Sequence, residues 1–160
     1  MVWINNYRLE DHLENYKENM EDLSDSIKMY MSVNNDVSKR ICLRAIKDCV
    51  RGIFTITEEY LGTVLKSKSI SVTNRSFKDC LRLAESNNLI DPNFSKCVMV
   101  SIKFRNYHSH NYQNPSEHDY IEFAIKNTNH VYSQIKFIED LLNCGKDNSS
   151  DVLKDSSVFH

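Results

Sequence analysis

Residues 37–65 read VSKRICLRAIKDCVRGIFTITEEYLGTVL, and this stretch decides the fold. Cys42, Ile46, Cys49, Ile53, Ile56 and Tyr60 recur at alternating steps of four and three, and Leu43, Val50, Phe54 and Leu61 form a second row beside them. The spacing is that of a helix, and an apolar stripe two rows wide predicts a helix buried on more than one side. Asn34-Asn35-Asp36 just before it offers an N-cap. Residues 66–74, rich in serine and lysine, predict a loop after it.

Outward from this helix the chain continues in the same manner. Upstream, Leu9, Leu13, Tyr16, Met20, Leu23, Ile27 and Tyr30 form a heptad seam of the kind that packs helix on helix. The other faces of that helix are acidic (Glu10, Asp11, Glu14, Glu18, Glu21, Asp22, Asp25) and should repel phosphate. Downstream, Ser76 with Asp79 three residues later is a capping-box start for a short helix, which turns Phe77, Cys80, Leu81 and Ala84 inward and ends at Asn87-Asn88. Asp91-Pro92 joins an N-cap to proline at the first helical position. It predicts a third long helix carried by Phe94, Cys97, Val98, Val100, Ile102 and Phe104 as far as Arg105. Pro115-Ser116, with Asp119, opens a last helix that buries Tyr120, Phe123, Val131, Ile135, Ile138 and Leu142. The expectation is all-α: an up-and-down four-helix bundle over residues 1–145, with a short extra helix between the second and third long ones. Residues 146–160, polar and charged, read as a flexible C-terminal tail.

Composition agrees with this and narrows the function classes. Three glycines and two prolines in 160 residues are too few for a fold rich in hairpins. The net charge of −2, from 22 acidic and 20 basic residues, neither implies nor excludes a nucleic-acid partner. Five cysteines without a C-x-x-C read as buried free thiols in a reducing compartment. The first residues lack the basic and apolar regions of a signal peptide, and no apolar run is long enough to span a bilayer. A cytoplasmic location away from membranes is expected.

One segment differs in chemistry. Between Pro92 and Pro115 there is no aspartate or glutamate, and the chain runs Arg105-Asn106-Tyr107-His108-Ser109-His110-Asn111-Tyr112 after Lys96 and Lys103. Arginine holds phosphate oxygens in a fork, histidine moves protons near neutral pH, and tyrosine stacks on bases. Together they suffice for RNA cleavage without a metal. The bland alternative is a helix end whose polar groups cap carbonyls and face water.

The order of these residues resembles the R-x-x-x-x-H-x-Y signature of the HEPN superfamily in the form found in HepT-like toxins, with Arg105, His110 and Tyr112 in the motif places and Asn106 in the usual position after the arginine. Arg75-Ser76-Phe77-Lys78-Asp79-Cys80-Leu81-Arg82-Leu83-Ala84-Glu85 and Asn88-Leu89-Ile90-Asp91 are similar to the segment that precedes the family's catalytic helix. The likeness covers roughly residues 37–142. It departs at His108-Ser109, where the family usually has small or aliphatic residues. His108 therefore competes with His110 as the catalytic histidine, though the spacing from Arg105 favours His110. On an ideal helix residues five apart stand about 140° from one another, so Arg105 and His110 converge only if the helix loosens or a second subunit completes the site.

The resemblance implies a homodimer with a cleft between two motifs. It further implies a toxin ribonuclease that needs no metal or other cofactor and acts on RNA through Arg105, Asn106 and His110. His108, Tyr107 and Lys103 would assist RNA binding. The implied partner is a minimal nucleotidyltransferase antitoxin that neutralises the toxin by placing AMP on Tyr112. The alternative within the family is a non-catalytic substrate-binding or scaffold subunit of a nucleotidyltransferase. A metal site at His108, His110, Glu117 and His118 is a third and weaker reading, since no histidine follows a glutamate at the Glu-x-x-His spacing of di-iron bundles. His12, His130 and His160 read as surface or tail residues.

Overall fold

A computed structural model of the chain describes residues 6–106 and 114–158, with side chains of the last helix as far as Gly145. Among the described residues the fold is all-helical, and six helices follow one another as α1 (Asn6–Ser32), α2 (Asp36–Ser67), α3 (Phe77–Ser86), α4 (Pro92–Val100), α5 (Glu117–Lys126) and α6 (Thr128–Val158), with a single 3-10 turn at Ile102–Phe104. No helix among them is long and apolar enough to cross a membrane.

α2 is the spine. Both predicted rows of its stripe are buried, from Cys42 and Leu43 through Tyr60 and Leu61, and α1, α3, α5 and the 3-10 turn all pack on it. Asn35 caps its start by accepting from the Ser38 N–H. α1 runs antiparallel to it, because the partners descend on α2 as they ascend on α1: His12 meets Thr63, Tyr16 meets Thr57, and the Asn19 amide donates to the Cys49 carbonyl. Gly52 allows this close approach, since a Cβ there would lie 3.0 Å from Asn19 Oδ1.

The starts of the shorter helices follow their sequence signals. Ser76 accepts from the Asp79 N–H, Asp91 accepts from the Phe94 N–H ahead of Pro92, and Ser116 and Asp119 close a reciprocal capping box. Asn88 ends the α3 turn at φ 56°, a left-handed conformation that asparagine tolerates better than most residues.

Three expectations are corrected. The third long helix is short: α4 stops at Val100, whose side chain is exposed, and Ile102–Phe104 form a 3-10 turn instead. On an uninterrupted helix Arg105 would fall eleven residues from Phe94 and seven from Val98, on the same inward row, so a guanidinium would enter the core. The break avoids this, and the β-branched Val98, Val100 and Ile102 weaken the helix there. The predicted last helix is two helices, divided at Asn127, where an Asn-Thr-Asn run competes for backbone hydrogen bonds. Its predicted apolar positions are nonetheless all buried. α6 continues as backbone helix to Val158, across the stretch whose composition reads as a tail.

The third correction concerns His12. It is buried, and it occupies the inner row of α1 together with Leu9, Tyr16, Met20 and Leu23, while Leu13 is only partly buried. Its Nε2 lies 2.8 Å from Thr63 Oγ1, and the Thr63 hydroxyl donates its own proton to the Glu59 carbonyl. Nε2 is therefore the protonated nitrogen, and Nδ1 is a buried lone pair with no partner among the described residues. Four of the five cysteines are buried and free as expected, whereas Cys144 is exposed. Burial pushes the Cys49 and Cys97 thiols up to about 11, so neither is a thiolate near neutral pH.

Burial, the largest influence on His12, holds its pKa below the ordinary 6.5. A second proton on Nδ1 would have no acceptor. The unfolded chain therefore takes up a proton first as pH falls, and the stability contributed by neutral His12 is complete above about 6.5 and lost progressively below it. Thermal unfolding midpoints measured from pH 7.5 to pH 5 should fall across that window. In His12→Gln, which still donates to Thr63 but does not titrate, this part of the fall should disappear.

Candidate functional site

The described part of the site is assembled around Phe104. Its ring lies 4.9 Å from Tyr120, 5.3 Å from Phe123 and 5.7 Å from Phe54, centroid to centroid. This packing pins the 3-10 turn between α2 and α5, and it sends the two neighbouring cations in different directions. Lys103 reaches α5, where Nζ pairs with Asp119 Oδ1 at 3.2 Å. Arg105 reaches α2 and α3.

The Arg105 guanidinium is held on three sides. Nη2 donates to Glu58 Oε1 at 2.9 Å, Nη1 donates to Asn106 Oδ1 at 3.2 Å, and the group lies 5.6 Å above the Phe77 ring. Its Nε is buried without a partner among the described residues. Arg105, Glu58 and Phe77 line a cleft of about 160 Å³ with Gly62, Val72 and Arg75. Arg75 itself donates to the Ser71 carbonyl at 2.7 Å, which steadies it at the rim. Two arginines, an aromatic face and one carboxylate thus share a small half-open cleft. That chemistry suits one phosphate group, provided the phosphate competes with Glu58.

The contest can be weighed. The Arg105–Glu58 pair is partly solvated, with side chains 36% and 53% exposed, and exposed pairs contribute about 0–1 kcal/mol. Hydrogen bonds from a guanidinium to a charged phosphate contribute about 1.5–3 kcal/mol each. The Glu58 contact is itself one such charge-assisted bond, so a phosphate has the advantage over it only where it takes both arms of the fork.

Arg105 and Asn106 stand together, joined by the hydrogen bond from Nη1 to Oδ1. Lys103 is not part of their cleft, because its ammonium is engaged by Asp119, whose own carboxyl is held below the usual range by the Ser116 N–H first and Lys103 second. Tyr107, His108, His110 and Tyr112 lie outside the described residues, which leave off at Asn106 and resume at Asn114. The Lys103–Asp119 pair ties the two ends of that interval to each other. Of the residues considered for a metal, His118 is exposed and faces Glu122 at 3.5 Å. No group of three or more potential ligands stands together among the described residues.

Glu58 and Arg75 are the residues that sequence reasoning passes over. Arg75 opens a stretch already singled out for its family likeness. Glu58 gives one faint signal: it and Glu59 are the only acids in the apolar second half of α2. No family model matches the chain, and neither a curated protein nor a solved structure matches it.

Phe104→Ala should expose how far the site depends on the aromatic cluster. Removing a ring that is 2% exposed should destabilise the fold by about 3–5 kcal/mol. Chemical denaturation would measure this. A loss below about 1 kcal/mol would mean the turn is not held by Phe104.

Proposed function

We propose that the chain is a metal-independent endoribonuclease of the HEPN class, the toxin of a toxin–antitoxin pair. The observation that carries the reading is the Arg105 guanidinium. It is oriented by Asn106 and Glu58 at the mouth of a cleft, and it stands at the head of the R-x-x-x-x-H-x-Y run. The all-helical fold, with two long helices and two short ones ahead of the motif, is compatible with the same class.

In this reading the scissile phosphate displaces Glu58 and is gripped by the Arg105 fork. His110 accepts the proton of the ribose 2′-hydroxyl as the 2′-oxygen attacks phosphorus. Arg105 offsets the negative charge that grows on the phosphoryl oxygens, and Asn106 keeps the fork aimed. The bond from phosphorus to the 5′-oxygen breaks, and that oxygen takes a proton. The products are a 2′,3′-cyclic phosphate and a 5′-hydroxyl, with no metal in any step. Two copies would bring two motifs to a shared cleft. A minimal nucleotidyltransferase antitoxin would silence the site by transferring AMP to the Tyr112 hydroxyl. A bulky anion two residues from His110 would exclude RNA both by volume and by repulsion.

One observation favours a second reading. Arg105 is already neutralised by Glu58, as it would be in a non-catalytic subunit that docks a nucleotidyltransferase.

Purified protein made without a partner, incubated with cellular RNA in EDTA, should cleave it. His110→Ala should abolish cleavage, His108→Ala should retain it, and Arg105→Ala should lower the rate by about 10²–10³. Absence of cleavage by the parent protein as an intact dimer would select the non-catalytic reading. Glu58→Gln gives a sharper check on Arg105. It weakens the competitor for the guanidinium, so kcat/KM should rise about three- to fivefold, the equivalent of up to ~1 kcal/mol of pairing. A fall would mean that Glu58 acts in the reaction itself.

A further inference from the structure

α2 carries a row of cations that the motif does not account for. Arg40, Arg44, Lys47 and Arg51 stand at steps of four, three and four, which places them in a strip about 60° wide on one helix face. Carried onward, the same strip passes Thr55, reaches Glu58 and then Gly62, so it ends at the Arg105 cleft. The strip faces away from the row formed by Cys42, Ile46, Cys49, Ile53 and Tyr60. Arg40 and Arg44 are exposed, and Lys47 and Arg51 are half-buried. The last two lean on α5: Arg51 Nε donates to the Tyr120 hydroxyl at 3.0 Å, and Lys47 Nζ lies 5.9 Å from the Tyr120 ring. Among the described residues Arg40, Arg44 and Lys47 have no carboxylate at ion-pairing distance. The acids of α2 near the strip are Asp36 below it, Asp48 at its edge and Glu58 at its far end, against four cations.

We propose that this face of α2 is the track along which single-stranded RNA reaches Arg105. The proposal rests on the ribonuclease reading for what happens at the end of the track, and on the charge geometry for the track itself. Successive cations advance about 4.5–6 Å along the helix axis, and Arg51 stands about 10 Å short of Glu58. A flexible single strand can adapt its phosphates to such a row. Three of the four cations are arginines, which grip phosphate in a fork. α1, the other long helix of the hairpin, presents acids on its outer faces and repels the same strand, so only one side of the hairpin is open to it. The inference adds a binding surface for bases upstream or downstream of the cut, built from residues on a helix separate from the motif.

The test uses the full chain as His110→Ala, so that RNA stays intact, and a fluorescein-labelled single-stranded oligouridylate read by anisotropy over a series of salt concentrations. Replacing Arg40, Arg44 and Lys47 together by glutamine should weaken binding at about 0.1 M salt by at least about tenfold. It should also lower the slope of log K against log salt by about 2, the loss of three phosphate contacts on a single strand. A control that removes equal charge elsewhere, Lys28→Gln with Lys68→Gln and Lys136→Gln, should change the affinity by less than about twofold. Arg44→Glu is a second, single-site variant, whose circular dichroism melt should match the parent's and whose affinity should fall on its own. Unchanged affinity and slope in the triple variant, or an equal loss in the control, would overturn the track. Tight binding of polyglutamate with the same sensitivity to the variants would overturn it too, and would reassign the face to an acidic protein partner. The nuclease reading stands or falls separately: a parent protein that cleaves while the triple variant binds RNA normally loses only the track, and one that binds along α2 without cleaving loses only the chemistry.

Discussion

Burial of Phe104 is the constraint on which the described part of the site depends. The ring is held by Phe54, Tyr120 and Phe123, from α2 and α5, and its place in that cluster determines where its neighbours point. Lys103 is turned to α5 and Arg105 to α2 because Phe104 stands inward between them. The 3-10 turn is the backbone's accommodation. Three residues of tighter winding change the phase of the chain, so that an aromatic ring enters the core where a continuous helix would have sent the guanidinium. The ion pair with Glu58 and the contact with Phe77 then refine a direction that the aromatic packing has already chosen.

The polar groups inside the core show a comparable economy. Tyr16, Tyr60 and Tyr120 are almost fully buried, yet each hydroxyl has a partner: Thr57, the Leu89 carbonyl and Arg51 Nε, respectively. Since the Thr57 hydroxyl donates to the Ile53 carbonyl, its oxygen is left to accept from Tyr16. Gln134, also buried, accepts from the Asp91 N–H and so fastens the start of α4 to α6. These bonds tie separate helices together at defined heights, which an apolar core of interchangeable side chains would not do. Two buried groups are only half satisfied among the described residues: Gln134, whose Nε2 has no partner, and His12, whose Nδ1 is bare, which makes the α1–α2 contact sensitive to acid.

Charge is divided between α1 and α2. α1 turns acids outward and α2 turns cations outward, so a nearly neutral chain has a polarised hairpin. The composition alone conceals this, because the two sets cancel in the sum. The cleft that holds Arg105 lies at one end of the basic side. At that end the Glu58 carboxylate is paired with Arg105.

Much of this was determined by the sequence itself. The buried rows of α2, the seam of α1 and the caps at Asn35, Ser76, Asp91 and Ser116 follow from periodicity and local hydrogen bonding, which act within a few residues and leave their mark on the string. Tertiary structure decided what depends on residues far apart. It stopped α4 at Val100, divided the last helix at Asn127, drew His12 into the core opposite Thr63 and set Glu58 against Arg105 across 47 positions. In these cases the outcome was settled by which side chains the neighbouring helices could accept, and not by spacing alone. That balance is struck between helices, and spacing along one helix does not record it.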